Sequence, residues 1–101
     1  IYTSGTTGRP KGVVIERSNL SHYIAGMSAA IRIEPGDVYL HTASFAFSSS
    51  IRQLFLPLLS GAEVVIATAD EIADPIALFE RIHAAGVTVA DLVPTYWSAC
   101  Q

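Results

Sequence analysis

The stretch YTSGTTGRPKGV, Tyr2 to Val13, concentrates residues suited to holding an anion. Gly5, Gly8 and Gly12 free the backbone to take positive φ and to come close to a ligand. Thr3, Ser4, Thr6 and Thr7 add hydroxyl donors, and amides exposed between the glycines can form an anion-cradling nest. Lys11 brings a full positive charge on a long stem, and Pro10 restricts the chain just before it. Together these favour a polyphosphate over a neutral ligand. The G-x-x-x-x-G-K-[ST] spacing of a Walker A loop is absent, as is the G-x-G-x-x-G dinucleotide fingerprint. The sequence starts no helix directly after the loop, so dipole help is reduced. Hydroxyls, Lys11 and a metal ion must then balance the charge. The competing reading is an ordinary Gly- and Thr-rich turn.

These residues resemble, almost letter for letter, the phosphate-binding loop of the adenylate-forming, or AMP-binding, enzymes. That superfamily includes acyl-CoA synthetases and the adenylation domains of nonribosomal peptide synthetases. Its pattern Y-T-S-G-[ST]-T-G-x-P-K-G is matched throughout Tyr2 to Gly12. SFAFSSSIRQLFLPLLSGAEVVIA is similar to the next core region of the adenylation domains, where an aromatic residue precedes a substrate-lining helix. VTVADLVPTYW looks like the strand and helix that follow. One departure is Arg17, which follows VVIE where the family often has His. The chain is thus most similar to a fragment of the large N-terminal subdomain of one adenylation domain, with no second domain in residues 1–101.

The resemblance implies an enzyme that joins a carboxylic acid to ATP, releases pyrophosphate and passes the acyl group from the adenylate to a thiol. Similarity in the second core region favours the phosphopantetheine arm of a carrier domain over coenzyme A as acceptor. By this analogy Thr3, Ser4, Gly5, Thr6, Thr7, Gly8 and Lys11 hold the ATP phosphates, with Lys11 and Thr6 in the catalytic role. Magnesium assists, on ligands mainly outside this chain. The Y-G-P-T-E segment, the ribose-binding aspartate and the lysine of the small C-terminal subdomain are not among these residues, so the 101 residues alone are expected to be inactive. The competing readings are an acyl- or aryl-CoA ligase and a degenerate module that binds a nucleotide without chemistry.

Carried over position by position, the acid pocket draws on Phe47, Ser48, Ser49, Arg52 and Asp91. In α-amino-acid-activating members the aromatic residue is followed by Asp, which pairs with the substrate ammonium. Here Ser48 stands in that place. A hydroxyl cannot supply the charge, and a desolvated ammonium without a partner is costly. The substrate is therefore expected not to be an ordinary α-amino acid. At 100° per residue Ser48, Ser49 and Arg52 share a helical sector about 100° wide. Arg52 and Asp91 allow three arrangements. They can neutralise each other beside a hydroxy, keto, aryl or fatty acid. Asp91 can take an amine placed further along, as in a β-amino acid. Arg52 can hold a second acidic group. The bland alternative turns Arg52 to solvent, or pairs it with Glu63 or Asp70.

The elements that must position these residues alternate between strand and helix, predicting an α/β layer with a mostly parallel sheet and flanking helices. Strands are expected at Ile1 to Thr3 and Gly12 to Glu16, forming a hairpin-like pair, then at Val38 to Thr42, at AEVVIA and at VTVADL. AEVVIA is expected to be fully buried. Ser18 is the expected N-cap of a helix through Ile31, and Pro57 is expected to kink or stop the helix in SSSIRQLFLPLL. Asp74-Pro75 starts a helix through His83 that Gly86 ends, and Pro94 starts the last. His22 and His83 read as solvated, His41 as a satisfied interior histidine, Tyr96 and Trp97 as packing residues and Cys100 as an inert thiol.

Of the 101 residues, 50% are hydrophobic and 15% charged, apolar for a free-standing domain of this size. Ile1 already reads as strand and PTYWSACQ stops in a helix, so the chain reads as an excerpt whose apolar surface faces missing neighbours. A net charge of −3 with scattered basic residues gives no nucleic-acid footprint. Nor is any uncharged stretch long enough to span a bilayer. One cysteine excludes an internal disulfide and a cysteine-based zinc site, and fits the cytoplasm.

Overall fold

The computed structural model describes residues 1–3 and 8–99. An antiparallel pair, β1 (Tyr2–Thr3) and β2 (Lys11–Gly12), opens the chain. The 14-residue helix α1 (Arg17–Ala30) follows. Next come β3 (Val38–His41), α2 (Ser48–Leu59) and β4 (Glu63–Ile66), a strand–helix–strand unit in which β3 and β4 pair in parallel from Val38↔Glu63 to His41↔Ile66. The chain then passes through α3 (Ala69–Ala73) and α4 (Pro75–Ala85) and returns to the other side of β3, where Val89 bridges Tyr39 in parallel. The last helix is α5 (Pro94–Ala99). Helices on both faces of a mostly parallel sheet make this an α/β layer, as the alternating pattern predicts.

The two-residue period of a strand divides the core. From β3, Leu40 and Val38 face a cluster with Val65, Ala67 and Leu78, covered by Ile72 and Ile82. Tyr39 faces the other way and packs with Ile24 of α1 and Leu56 of α2. Local chemistry explains the ends of α4. Asp74 accepts the Ile76 N–H at 3.1 Å, Pro75 takes the first turn, and Gly86 closes the helix in the left-handed region at φ 67°.

Several expectations are corrected. The second strand stops at Gly12, with one further bond from Val13 N–H to Ile1 O at 2.7 Å; Val14 is 90% exposed, so no neighbour extends the pairing. Helix α1 is capped at Glu16, not Ser18, because Asn19 Oδ1 accepts the Glu16 N–H at 3.0 Å and fixes the start two residues earlier. Pro57 does not stop α2, which runs on to Leu59. It lies in the last turn, and its carbonyl accepts from Ser60 and Ala62 at 3.1 and 2.9 Å. Strand β4 is not fully buried: Ile66 is 51% exposed at the sheet edge. The strand expected at VTVADL is reduced to one bridge, since the Thr88 hydroxyl takes the Val38 N–H at 2.9 Å in place of a ladder carbonyl. Helix α3 was signalled only by T-x-x-E at Thr68, a capping box in which each of Thr68 and Glu71 accepts the other's N–H.

Candidate active site

The first part of the site is the mouth of the glycine-rich loop. Thr3 and Lys11 are directly opposed in the antiparallel pair, so their side chains leave the same face of the ribbon. Gly8 has φ 81°, and a side chain there would be strained although the space is open. The next helix, α1, begins only at Arg17. Of the expected phosphate-binding residues, Ser4, Gly5, Thr6 and Thr7 lie outside the described residues. For magnesium, no group of three His, Cys, Asp or Glu among the described residues is placed to hold a metal ion.

The second part is a cavity of about 470 Å³ between the start of α2, the chain after β3 and the segment after Val89. Phe47, Ser49, Arg52 and Asp91 all line it. Ser48 does not. It borders an adjacent groove of about 420 Å³ with Ile15 and Tyr23, and Ser49 and Arg52 reach both spaces. The three serines at the start of α2 therefore diverge, as 100° per residue requires. Ser48 faces the groove, Ser49 both spaces, and Ser50 is buried against His41. Ile15, on the exit from the glycine-rich hairpin, joins the two parts of the site at this groove.

Arg52 does not turn to Glu63, Asp70 or open solvent. Its Nη2 and Nε donate to the two carboxylate oxygens of Asp91 at 3.0 and 3.3 Å, and its Nη1 lies 3.4 Å from the Tyr23 hydroxyl. Two further residues join this pair. Tyr39, fully buried, donates its hydroxyl to Asp91 Oδ2. Gln53, 2% exposed, donates Nε2 to Asp91 Oδ1 at 2.7 Å and to the Asp91 carbonyl at 3.1 Å. Its Oε1 accepts the Thr42 and Ala43 N–H groups at 2.8 and 2.9 Å. Burial pushes the Asp91 carboxyl up, but hydrogen bonds from Arg52, Tyr39 and Gln53 outweigh it and hold the group below its ordinary value. Burial and the Asp91 carboxylate raise the Tyr39 phenol. The bond to Asp91 raises the Arg52 guanidinium despite desolvation.

Sequence reasoning missed Tyr39 and Gln53. For Gln53 the available signal was an amide directly before the apolar run LFLPLL, since a polar group buried among leucines must find partners. His41 is interior, as expected. It is 2% exposed, its Nε2 lies 2.8 Å from Ser50 Oγ, and its ring stacks on Phe45 with centroids 4.8 Å apart. His22 and His83 are exposed. Cys100 lies outside the described residues.

Desolvation lowers the His41 pKa from the ordinary imidazole value of 6.5. The unfolded chain therefore takes up a proton that the folded chain refuses. The stability this contributes is full above the ordinary value and is lost as pH falls below it. Thermal melts of the enzyme are expected to show a falling melting temperature on acidification through this range. His41→Gln should flatten that slope, and an unchanged slope would remove His41 as its cause.

Residues 1–101 match a family model described as AMP-binding enzyme. The chain is 41% identical over 99 residues to the dimodular nonribosomal peptide synthase of Bacillus subtilis (strain 168), covering 98% of this chain and 4% of that protein. Identity to tyrocidine synthase 3 of Brevibacillus parabrevis is 40% over 99 residues, covering 98% of this chain and 2% of that protein. Among solved structures, CmiS6 superposes with a TM-score of 0.86 at 31% identity over 99% of this chain and 23% of that one. The Vibrio cholerae adenylation domain AlmE, in complex with glycyl-adenosine-5'-phosphate, superposes with a TM-score of 0.84 at 29% identity over 95% of this chain and 18% of that one. The chain spans only a few per cent of the length of these curated synthetases. No helix among the described residues is long and apolar enough to cross a membrane. The family match runs through both the glycine-rich hairpin and the cavity at the head of α2, and by it this chain belongs to the AMP-binding enzyme family.

Proposed function

We propose that this chain supplies the triphosphate-gripping loop and part of the acid pocket of an enzyme that activates a carboxylic acid as its acyl-adenylate. The observation that carries the reading is the convergence of Phe47, Ser49, Arg52 and Asp91 on one cavity, next to the exit from a hairpin whose mouth pairs Thr3 with Lys11. A carboxylate oxygen attacks the α-phosphorus of ATP; the bond to pyrophosphate breaks as the new oxygen–phosphorus bond forms. Both reactants are anionic, so the chemistry needs fixed donors and cations where charge accumulates. Thr3 and Lys11 meet that need among the described residues. Ser4, Gly5, Thr6, Thr7 and Gly8 complete the set by analogy, with Thr6 and Lys11 in the catalytic role. Magnesium, when bound, adds positive charge on the phosphates from ligands in other parts of the enzyme.

In the second half-reaction a phosphopantetheine thiol of a carrier domain attacks the acyl carbon and AMP leaves. The similarity to peptide synthetases supports that acceptor. The complex of AlmE with an aminoacyl adenylate supports the intermediate. Ser48, turned into the neighbouring groove, offers no carboxylate to an α-ammonium, which supports an acid other than an ordinary α-amino acid. We expect the complete enzyme to catalyse acid-dependent ATP–pyrophosphate exchange with a hydroxy, keto, aryl or fatty acid, and the 101 residues alone to catalyse none. Ser48→Asp should give no gain with the preferred acid. A strong gain with that same acid would discredit the pocket assignment.

A further inference from the structure

The cavity holds one full negative and one full positive charge, and the way Asp91 is held decides whether either is open to a substrate. A carboxylate has about four lone-pair sites, two on each oxygen. All are occupied. Oδ1 accepts from Arg52 Nη2 at 3.0 Å and Gln53 Nε2 at 2.7 Å, while Oδ2 accepts from the Tyr39 hydroxyl and from Arg52 Nε at 3.3 Å.

The two buried donors, Gln53 and Tyr39, cannot easily be withdrawn. Gln53 Oε1 is clamped by two backbone N–H groups of the chain after β3, so turning the amide over would set its NH₂ against two donors. Tyr39 is fully buried between α1 and α2, and removing its hydroxyl from Asp91 would leave it without a partner in the core. A substrate amine would have to displace one of them, or part Arg52 from its ion pair, to reach the carboxylate. A second substrate carboxylate would meet an Arg52 whose charge is already cancelled.

Building on the adenylation reading, we infer that Tyr39 and Gln53 are positioning residues that fill the acceptor capacity of Asp91, so that the pocket presents no free charge and admits acids whose tails carry neither an amine nor a second acid. The remaining wall supports this, since it adds no further charge: Phe47, Ile72, Leu92 and Val93 are apolar, and Thr42, Ser44, Ser49 and Tyr96 carry neutral hydroxyls. Asp91 lines the cavity and not the groove next to Ser48, so this selection acts in the cavity.

The test compares matched acids in pyrophosphate exchange by the complete enzyme: hexanoate with β-aminohexanoate, and phenylpropanoate with β-phenylalanine. The wild type is expected to favour the amine-free member by about tenfold or more in kcat/KM. Tyr39→Phe, which returns one acceptor to Asp91, should narrow that ratio severalfold. Arg52→Leu, which leaves the carboxylate without a countercharge, should reverse it. A merely structural role would lower both members of a pair alike. Preference of the wild type for the amine-bearing member, or one ratio shared by all three proteins, would overturn the inference. If Arg52→Leu fails to fold, Tyr39→Phe against wild type decides alone. Absence of exchange with every acid would count against the adenylation reading instead. Carbon-13 NMR of the Asp91 carboxyl would still decide the inference: ionisation below the ordinary range in wild type, rising in Tyr39→Phe, supports it, and ordinary titration in both overturns it.

Discussion

Lys11→Ala in the complete enzyme is expected to lower acid-dependent pyrophosphate exchange by about 10²–10³-fold, the loss typical when one donor aimed at developing charge is removed. Lys11 ends the glycine-rich loop and stands opposite Thr3 in the hairpin pair. Its backbone is thus held by two strands at the loop mouth, while the long stem leaves the ammonium free to follow the phosphates. The charge is needed most as the acid carboxylate meets the triphosphate, so the loss should fall mainly on kcat, with a smaller rise in KM for ATP. Lys11→Arg keeps the charge but changes its shape, and should recover part of the rate. Steady-state exchange kinetics on the three proteins check this. Wild-type rates in Lys11→Ala would move the phosphate grip elsewhere.

Gln53→Leu is expected to destabilise the enzyme by about 2–5 kcal/mol, a size set by the buried groups it strands. Leucine fills nearly the same space but leaves the Thr42 and Ala43 N–H groups without an acceptor and removes one donor from Asp91. Each stranded group costs about 1–3 kcal/mol. Denaturant titration with an unchanged m-value measures the loss directly. Gln53→Glu separates the roles. It keeps an acceptor for the two N–H groups but places a carboxylate against Asp91 Oδ1. Its destabilisation should therefore be large at neutral pH and shrink on acidification, as one of the two carboxylates takes a proton. Equal stability of Gln53→Leu and wild type would mean that this amide does not brace the pocket.

Both variants concern residues that differ sharply in how plainly the sequence announces them. Lys11 is legible because loop chemistry is local: glycines, hydroxyls and a cation lie within a dozen positions, and each contributes without waiting for a distant segment. The ends of α4 are legible for the same reason, since Asp74, Pro75 and Gly86 act on backbone groups within a turn of themselves. Where local signals compete, the order of residues is not enough. Asn19 displaces Ser18 from the start of α1 by reaching back to Glu16, and the Thr88 hydroxyl replaces a ladder bond that β-propensity alone would assign to the backbone.

By itself, the sequence determined the glycine-rich loop, the alternation of strands and helices, the list of polar residues able to line a pocket and, through resemblance, the family. Only the tertiary structure decided how those residues are spent. It sent Ser48, Ser49 and Ser50 in three directions, turned Arg52 onto Asp91, and brought in Tyr39 and Gln53, from 52 and 38 positions away, to complete the carboxylate's partners. The reason is physical: capping and turn chemistry act over three or four residues, whereas the state of a buried charge depends on every donor that the crossovers of the sheet carry to it.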